Sequence, residues 1–246
     1  MPVFFINSSL IQNASLNIEG PLFNHIHKSL RVHEGDIILF GDEKRQRYQA
    51  KVTEIGRTSC ICTIMHTQQG PPPPPYKIII GQAILKGTNM NWAIQKATEL
   101  GVSSIIPLLT SRVVVQPQTS RFKGLQERWQ RIAVEASQQS ERWEIPEIYS
   151  PCRLQQFFET NNNADLRCIL AEREGSDRLQ SLPIGKHFTG KIIIAVGPEG
   201  GWTIEEFQEA QQHHFMAISL GPYILRGETA PLVALSILQN RLGNLS

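Results

Sequence analysis

The spacing of apolar positions changes character at a run of prolines. Before that run, "DIILF", "YQAKVTEI" and "SCICTIM" are short, β-branched stretches separated by turn residues such as Gly35, Gly41-Asp42 and Gly56, which predicts a small barrel-like β domain. One helical candidate, "FNHIHKSLRV", precedes these strands. After the run, strand and helix periods alternate. "KIIIGQAIL" reads as a strand. Met90, Ala93, Ile94, Ala97 and Leu100 then recur at helical spacing, with Gly101 just past the helix end. "VSSIIPLL" is again a strand, and Trp129, Ile132, Ala133 and Ala136 mark a long amphipathic helix from Leu125. "RCILAE", "KIIIAV" and "FMAISL" predict three more strands, and "PLVALSILQNRLG" a closing helix with Pro231 in its first turn and Gly243 at its stop. This alternation predicts an α/β domain with a mostly parallel sheet covered on both faces.

The run itself, "QQGPPPPPYK", removes five backbone donors in succession and favours an extended rod. It reads as a stiff spacer rather than a peptide-docking motif. The expected organisation is therefore a β domain over 1–70, a proline linker over 71–75 and an α/β domain over 76–246.

Composition narrows the classes. The chain has 246 residues, enough for one large domain or two modest ones. A net charge of +2 is too small for a general nucleic-acid counter-ion surface, so any such site must rest on local clusters. One cluster is His25, His27, Lys28 and Arg31 in the first domain. No apolar run reaches the roughly 20 residues that span a bilayer, and "MPVFFINSSL" lacks the layout of a secretory signal. Cys60 and Cys62 lie two apart on a predicted strand, facing one side, and read as buried small side chains rather than half of a metal site. The expectation is a cytoplasmic protein with no metal and no membrane partner.

Ligands of parallel sheets collect beyond the carboxyl ends of strands, which points to the loops after "CILAE", "KIIIAV" and "FMAISL". The second loop, "GPEGGWTIEE", suggests phosphate binding at first. Yet it has no P-loop lysine, Glu199 would repel a phosphate, and Thr203 with Glu206 forms a capping-box pattern that occupies the helix start. The third loop, "LGPYILRGETAP", is apolar within a turn-rich segment, through Leu220, Ile224 and Leu225. Together the two loops predict a pocket with apolar walls and backbone hydrogen bonds, suited to an adenine ring and a sulfonium better than to a polyphosphate.

Four segments, "LKGTNMNWAIQKATELGVSSIIPLLTSRVVV", "RWQRIAVEASQQSERWEIPEI", "GPEGGWTIEE" and "SLGPYILRGETAPLVALSILQ", resemble the SPOUT-type methyltransferases that make 3-methyluridine in 16S ribosomal RNA. "HIHKSLRVHEGDIILFGD" resembles that family's N-terminal PUA-like barrel, and the likeness runs over nearly the whole chain. The resemblance implies an α/β SPOUT domain with a deep trefoil knot, S-adenosyl-L-methionine as cofactor, a homodimer, and 16S ribosomal RNA, within the small subunit, as partner. It places the cofactor among Leu170, Ala171 and Glu172, the loop Gly197, Pro198, Gly200 and Gly201, and Leu220, Gly221, Ile224, Leu225 and Arg226. One departure is Gly227, where a threonine or β-branched residue is expected in "LRGETA"; glycine there is expected to loosen the turn.

For the chemistry, Arg226 is the candidate for stabilising a uracil oxygen as the ring becomes anionic; the alternative is an ion pair with Glu228. Glu199 or Glu228 could accept the N3 proton, or each could hold backbone amides. RNA contacts are expected at His27, Lys28, Arg31, Arg112 and Arg128, although Arg128 could instead pair along its helix. The rival readings are a ribose 2′-O methyltransferase, a non-catalytic RNA-binding assembly factor and, most distantly, a nucleotide hydrolase.

Overall fold

The computed structural model describes residues 3–113, 118–171 and 177–245. The chain divides into two compact units, Met1–Pro73 with Ser137–Glu144, and Pro74–Ala136 with Ile145–Ser246.

The first unit carries six strands among the described residues: β1 (Val3–Phe5), β2 (Ile11–Gln12), β3 (Ser15–Glu19), β4 (Ile37–Gly41), β5 (Gln46–Ile55) and β6 (Ser59–Gln69). Their order is β1-β4-β5-β6-β3-β2, antiparallel except for β1 beside β4. Alternate residues of β5 and β6, including Tyr48, Ala50, Val52, Cys60 and Cys62, enter one core with Phe4, Leu16, Ile18 and Phe40. Both cysteines are buried as expected from their spacing. Asp42, 2% exposed, holds the β4–β5 turn: its carboxylate accepts from the amides of Lys44 and Gln46 and from the Tyr48 hydroxyl at 2.8 Å. The predicted helix over "FNHIHKSLRV" starts earlier, as α1 (Gly20–Asn24) with Pro21 in its first turn, and continues as one wider π-type turn over His25–Ser29. Residues 137–144, distant in sequence, close this unit. The Arg47 guanidinium lies 3.9 Å from the Trp143 ring centroid, and Arg45 pairs with Glu144.

The second unit is an all-parallel sheet of β7 (Tyr76–Ala83), β8 (Ser104–Leu109), β9 (Glu147–Ile148), β10 (Cys152–Arg153), β11 (Leu166–Leu170), β12 (Asp177–Arg178), β13 (Gly190–Val196) and β14 (Met216–Ser219). Its order is β10-β8-β7-β13-β11-β14-β12, with β9 also beside β8. The continuous apolar runs Ile78–Ile80 and Ile192–Ile194 are buried on both faces, as doubly covered parallel strands require. One face packs against α2 (Asn89–Glu99), α3 (Phe122–Gln139) and α6 (Ala230–Leu242), the other against α4 (Leu154–Thr160) and α5 (Ile204–Gln212). The helix ends follow local signals: Gly101 has φ +84 just past α2, Gly243 closes α6 with φ +87, and Pro231 starts it. Helix α4 carried no clear sequence signal; Phe157 and Phe158 fix it, and Gly81 makes the room, since a Cβ there would lie 2.4 Å from the Phe157 ring.

Strands β7 and β13 are neighbours whose onward connections diverge. The chain from β7 moves to β8 on one side, whereas the chain from β13 passes β11 to reach β14 on the other. Such a reversal opens a crevice beyond the carboxyl ends of the two strands. Among the described residues no helix is long and apolar enough to cross a membrane.

Candidate functional site

A cavity of about 650 Å³ lies at that reversal, within the size range of small-molecule sites. Its apolar wall comes from Leu170 at the end of β11 and Ala171 just after it, Ile218 of β14, and Leu220, Ile224 and Leu225 of the following loop. The opposite wall is the glycine loop, Gly197 to Gly201, with Trp202. Arg226 and Glu228 complete the rim. Most of the residues expected at a cofactor site are therefore brought together. Gly221 is not: it lines a second cavity of about 490 Å³, with Arg178 and Ser219, and Leu220 borders both. Glu172 lies outside the described residues.

Two of the glycines are crowded by protein neighbours. A Cβ on Gly197 would sit 3.1 Å from the Trp202 ring, and one on Gly200 would sit 3.2 Å from the Arg112 Cβ. Side chains at these two positions would press on those protein neighbours. Gly201 differs: it has open space and φ +67, which glycine adopts at low cost. Gly227 was expected to loosen its turn. Instead it is buried, and a Cβ would meet Leu85 Cδ2 at 2.7 Å and the Gly197 carbonyl oxygen at 3.3 Å. The turn is tight because the residue is glycine.

Hydrogen bonds knit the loops to one another. Trp202 Nε1 donates to the Leu170 carbonyl at 2.9 Å, tying the β13 loop to the end of β11. Arg112 Nη1 donates to the Gly200 carbonyl at 2.8 Å and the Trp202 carbonyl at 3.3 Å. The Lys86 amide donates to Glu199 Oε1 at 3.1 Å, joining the β7–α2 connection to the glycine loop. The predicted capping box is present: the Glu206 amide donates to Thr203 Oγ1 and the Thr203 amide to Glu206 Oε2. Glu206 does more than cap, because its Oε1 accepts from the Ser111 amide at 2.7 Å. The exposed Glu205 carboxyl is held below the usual range by its own backbone amide first, then the Thr203 hydroxyl, with Arg112 adding to it. With the first turn of α5 already capped, little of the helix end is left for a phosphate.

No ion pair joins Arg226 to Glu228 among the described residues. Arg226 is exposed, whereas Glu228 Oε2 is buried with no hydrogen-bond donor. Of the expected RNA contacts, His27 is exposed and stacks on Phe23 at 5.2 Å, and Arg31 is exposed. The side chain of Lys28 lies outside the description. In the second unit, Arg128 is exposed on α3, and Arg112 is a brace of the glycine loop as well as a surface cation. Trp202, Asn89 and Gly227 also line the cavity but were not singled out for it. Asn89 was findable, since it follows a fourth strand end, that of β7, to which the same strand-end rule applies. Among the described residues no group of three or more His, Cys, Asp or Glu could hold a metal ion.

Fold and cavity define an α/β domain with a cavity of small-molecule size at the switch point of a parallel sheet, in a chain that also carries a small β domain. The chain belongs to the RNA methyltransferase family: the model of the RNA methyltransferase domain matches residues 72–239, and that of the RNA methyltransferase PUA domain matches residues 18–65. Ribosomal RNA small subunit methyltransferase E of Bacillus subtilis is 32% identical over 231 residues, 90% of this chain and 88% of that protein. A methyltransferase from Legionella pneumophila, solved with the cofactor SAM, superposes with a TM-score of 0.89 at 28% identity over 97% of this chain and 96% of that one. Ribosomal RNA small subunit methyltransferase E of Neisseria gonorrhoeae, bound to S-adenosyl methionine, superposes with a TM-score of 0.86 at 30% identity over 98% and 97% of the two chains.

Proposed function

We propose that this protein is an S-adenosylmethionine-dependent methyltransferase that modifies N3 of a uridine in 16S ribosomal RNA of the small subunit. The observation that carries the reading is the cavity at the β7/β13 reversal, with apolar and backbone walls, in a fold shared end to end with two neighbours solved with that cofactor. The names of the Bacillus and Neisseria relatives supply the substrate class.

The site fits such a ligand. Leu170, Ile218, Leu220 and Leu225 offer apolar surface to a purine, and the Gly197–Gly201 backbone offers polar groups along the opposite wall. When bound, the cofactor supplies an electrophilic methyl carbon on a sulfonium leaving group. The protein's own task is alignment, help with N3 deprotonation and stabilisation of charge on the base. Arg226, exposed at the rim and not paired with Glu228, is assigned to a uracil oxygen. A uridine in folded RNA must leave its stack to enter the cavity. His27, Lys28, Arg31, Arg112 and Arg128 are assigned to holding that RNA. The functional division proposed is an RNA-binding part over 1–70, a linker over 71–75 and a catalytic part over 76–246.

A homodimer belongs to the same proposal. Helix α6 is apolar around its circumference, its Leu232, Val233 and Ile237 are only partly covered, and Tyr223 and Ile224 are 79% and 88% exposed. A helix of that kind calls for a partner surface. The trefoil knot and a cytoplasmic location stand with the proposal too.

The test is to incubate small ribosomal subunits that lack the modification with the protein and methyl-labelled cofactor, digest their 16S RNA to nucleosides and analyse them by mass spectrometry. The expected product is 3-methyluridine. Label on ribose, or no transfer, would refute the assignment.

A further inference from the structure

Three carboxylates on the two loops and the helix start around the cavity differ in what already holds them. Glu199 is exposed, and one of its oxygens accepts from the Lys86 amide at 3.1 Å. Glu206 is buried with both oxygens engaged, by the Ser111 amide at 2.7 Å and the Thr203 amide at 2.9 Å. Glu228 lines the cavity, and its Oε2 is buried with no donor. A buried carboxylate oxygen without a donor is costly, and a turn of the side chain that brings it to a donor in the cavity relieves the cost.

The position of Glu228 is also fixed. Gly227 lies against Leu85 and the Gly197 carbonyl, and the Thr229 and Ala230 amides both donate to the Arg226 carbonyl at 2.9 Å. The turn that carries Glu228 is thus closed on one side by packing and on the other by the start of α6. Besides Glu228, the charged groups among the described lining residues are Glu199 and Arg226. The walls contributed by β11, by β14 and by the start of α2, where Asn89 stands, carry none.

We infer that Glu228 is the general base: its side chain turns so that Oε2 enters the cavity and takes the proton from N3 of the substrate uracil; this rests on the methyltransferase reading above. The N3–H bond breaks and its proton passes to Oε2, while the bonding pair stays on N3. That pair forms the bond to the donor methyl carbon, and the pair of the broken methyl–sulfur bond leaves with sulfur, cancelling its positive charge. The Glu228 carboxylic acid then returns its proton to solvent. Arg226 faces the charge that develops on the uracil oxygens, and Glu199 is a positioning residue that holds the β7–α2 connection to the glycine loop.

The experiment compares the full-length wild type with Glu228→Gln and Glu199→Gln. It measures single-turnover transfer to 16S RNA within small subunits from neutral to alkaline pH, cofactor affinity by calorimetry and thermal midpoints to verify folding. Glu228→Gln is expected to slow transfer about 100-fold or more at neutral pH, with the deficit narrowing as N3 ionises through solvent at higher pH, and to leave cofactor affinity within about threefold. Glu199→Gln is expected to cost less in rate. A Glu228→Gln protein that loses cofactor affinity without a rate defect at saturation overturns the inference. So does a pH-independent deficit, or a larger rate loss in Glu199→Gln. Wild type that methylates a site other than uracil N3 overturns the parent reading and this inference together, whereas active wild type with an unimpaired Glu228→Gln overturns only the inference.

Discussion

Gly227→Ala is a sharp test of how the site is packed. The added Cβ would lie 2.7 Å from Leu85 Cδ2 and 3.3 Å from the Gly197 carbonyl oxygen, the first about an ångström inside normal carbon contact. Leu85 is 5% exposed and part of the larger core, so its side chain has little room to retreat. Overpacking of this kind costs about 1–3 kcal/mol. Gly227 is not among the glycines with positive φ, so alanine adopts its backbone conformation and recovers roughly 0.4–1 kcal/mol from the unfolded chain. The net expectation is a loss of about 1–2 kcal/mol. Leu85→Ala alone should cost about 2–5 kcal/mol through the cavity it leaves. In the double variant the colliding methyl is gone, so the two losses should fall short of additivity by about 1–2 kcal/mol, read from urea unfolding of the four proteins. Additive losses, within about 0.5 kcal/mol, would mean that the two side chains do not compete for this space, and the packing argument would fail.

Two further outcomes follow from individual contacts. Arg112→Ala removes the hydrogen bond to the Gly200 carbonyl and should weaken cofactor binding roughly 2- to 12-fold with no RNA present, the equivalent of about 0.5–1.5 kcal/mol; if calorimetry finds cofactor affinity intact and only RNA affinity reduced, Arg112 does not brace the loop. Burial first, and then the bond to Asp42, raise the Tyr48 hydroxyl well above its usual value of 10.0. The folded state therefore disfavours Tyr48 ionisation, so its contribution to the first unit is fully present below about pH 10 and is lost as the pH climbs above it. Tyr48→Phe should remove that part of the alkaline loss in urea unfolding from neutral pH upward, and parallel curves for the two proteins would contradict it.

The segment "GPEGGWTIEE" shows how much of the site could be read from sequence. Its self-capped helix was legible because a capping box spans four consecutive positions, Thr203 to Glu206, and the structure contains it. The apolar "LGPYIL" loop was legible for the same reason, since its composition conflicts with an ordinary exposed turn. The meaning of the glycines was not legible. Gly197 and Gly200 leave space for Trp202 and Arg112, and the second of these comes from the loop after β8. Arg226 and Glu228 stand two residues apart, which suggests an ion pair, yet none forms among the described residues. Short sequence separation does not make side chains point the same way.

The sequence by itself determined most of the longer elements, because each is encoded within a few residues: period-2 runs before the prolines, alternating strands and helices after them, Gly101 and Gly243 at helix ends, and Pro231 at a helix start. Helix α4, fixed by Phe157, Phe158 and the space at Gly81, was the exception among the longer helices. The sequence also pointed to the loops after strand ends, which line the cavity. Only the tertiary structure decided which loops meet. Inserting β13 between β7 and β11 sets Glu199 on the Lys86 amide, Gly227 against Leu85 and the Trp202 indole on the Leu170 carbonyl. The same arrangement turns Gly221 toward a different cavity and leaves Glu228 with a buried oxygen that no neighbour satisfies. These are contacts among elements far apart in the chain. They depend on strand order and register, which a local pattern of apolar and polar residues does not carry.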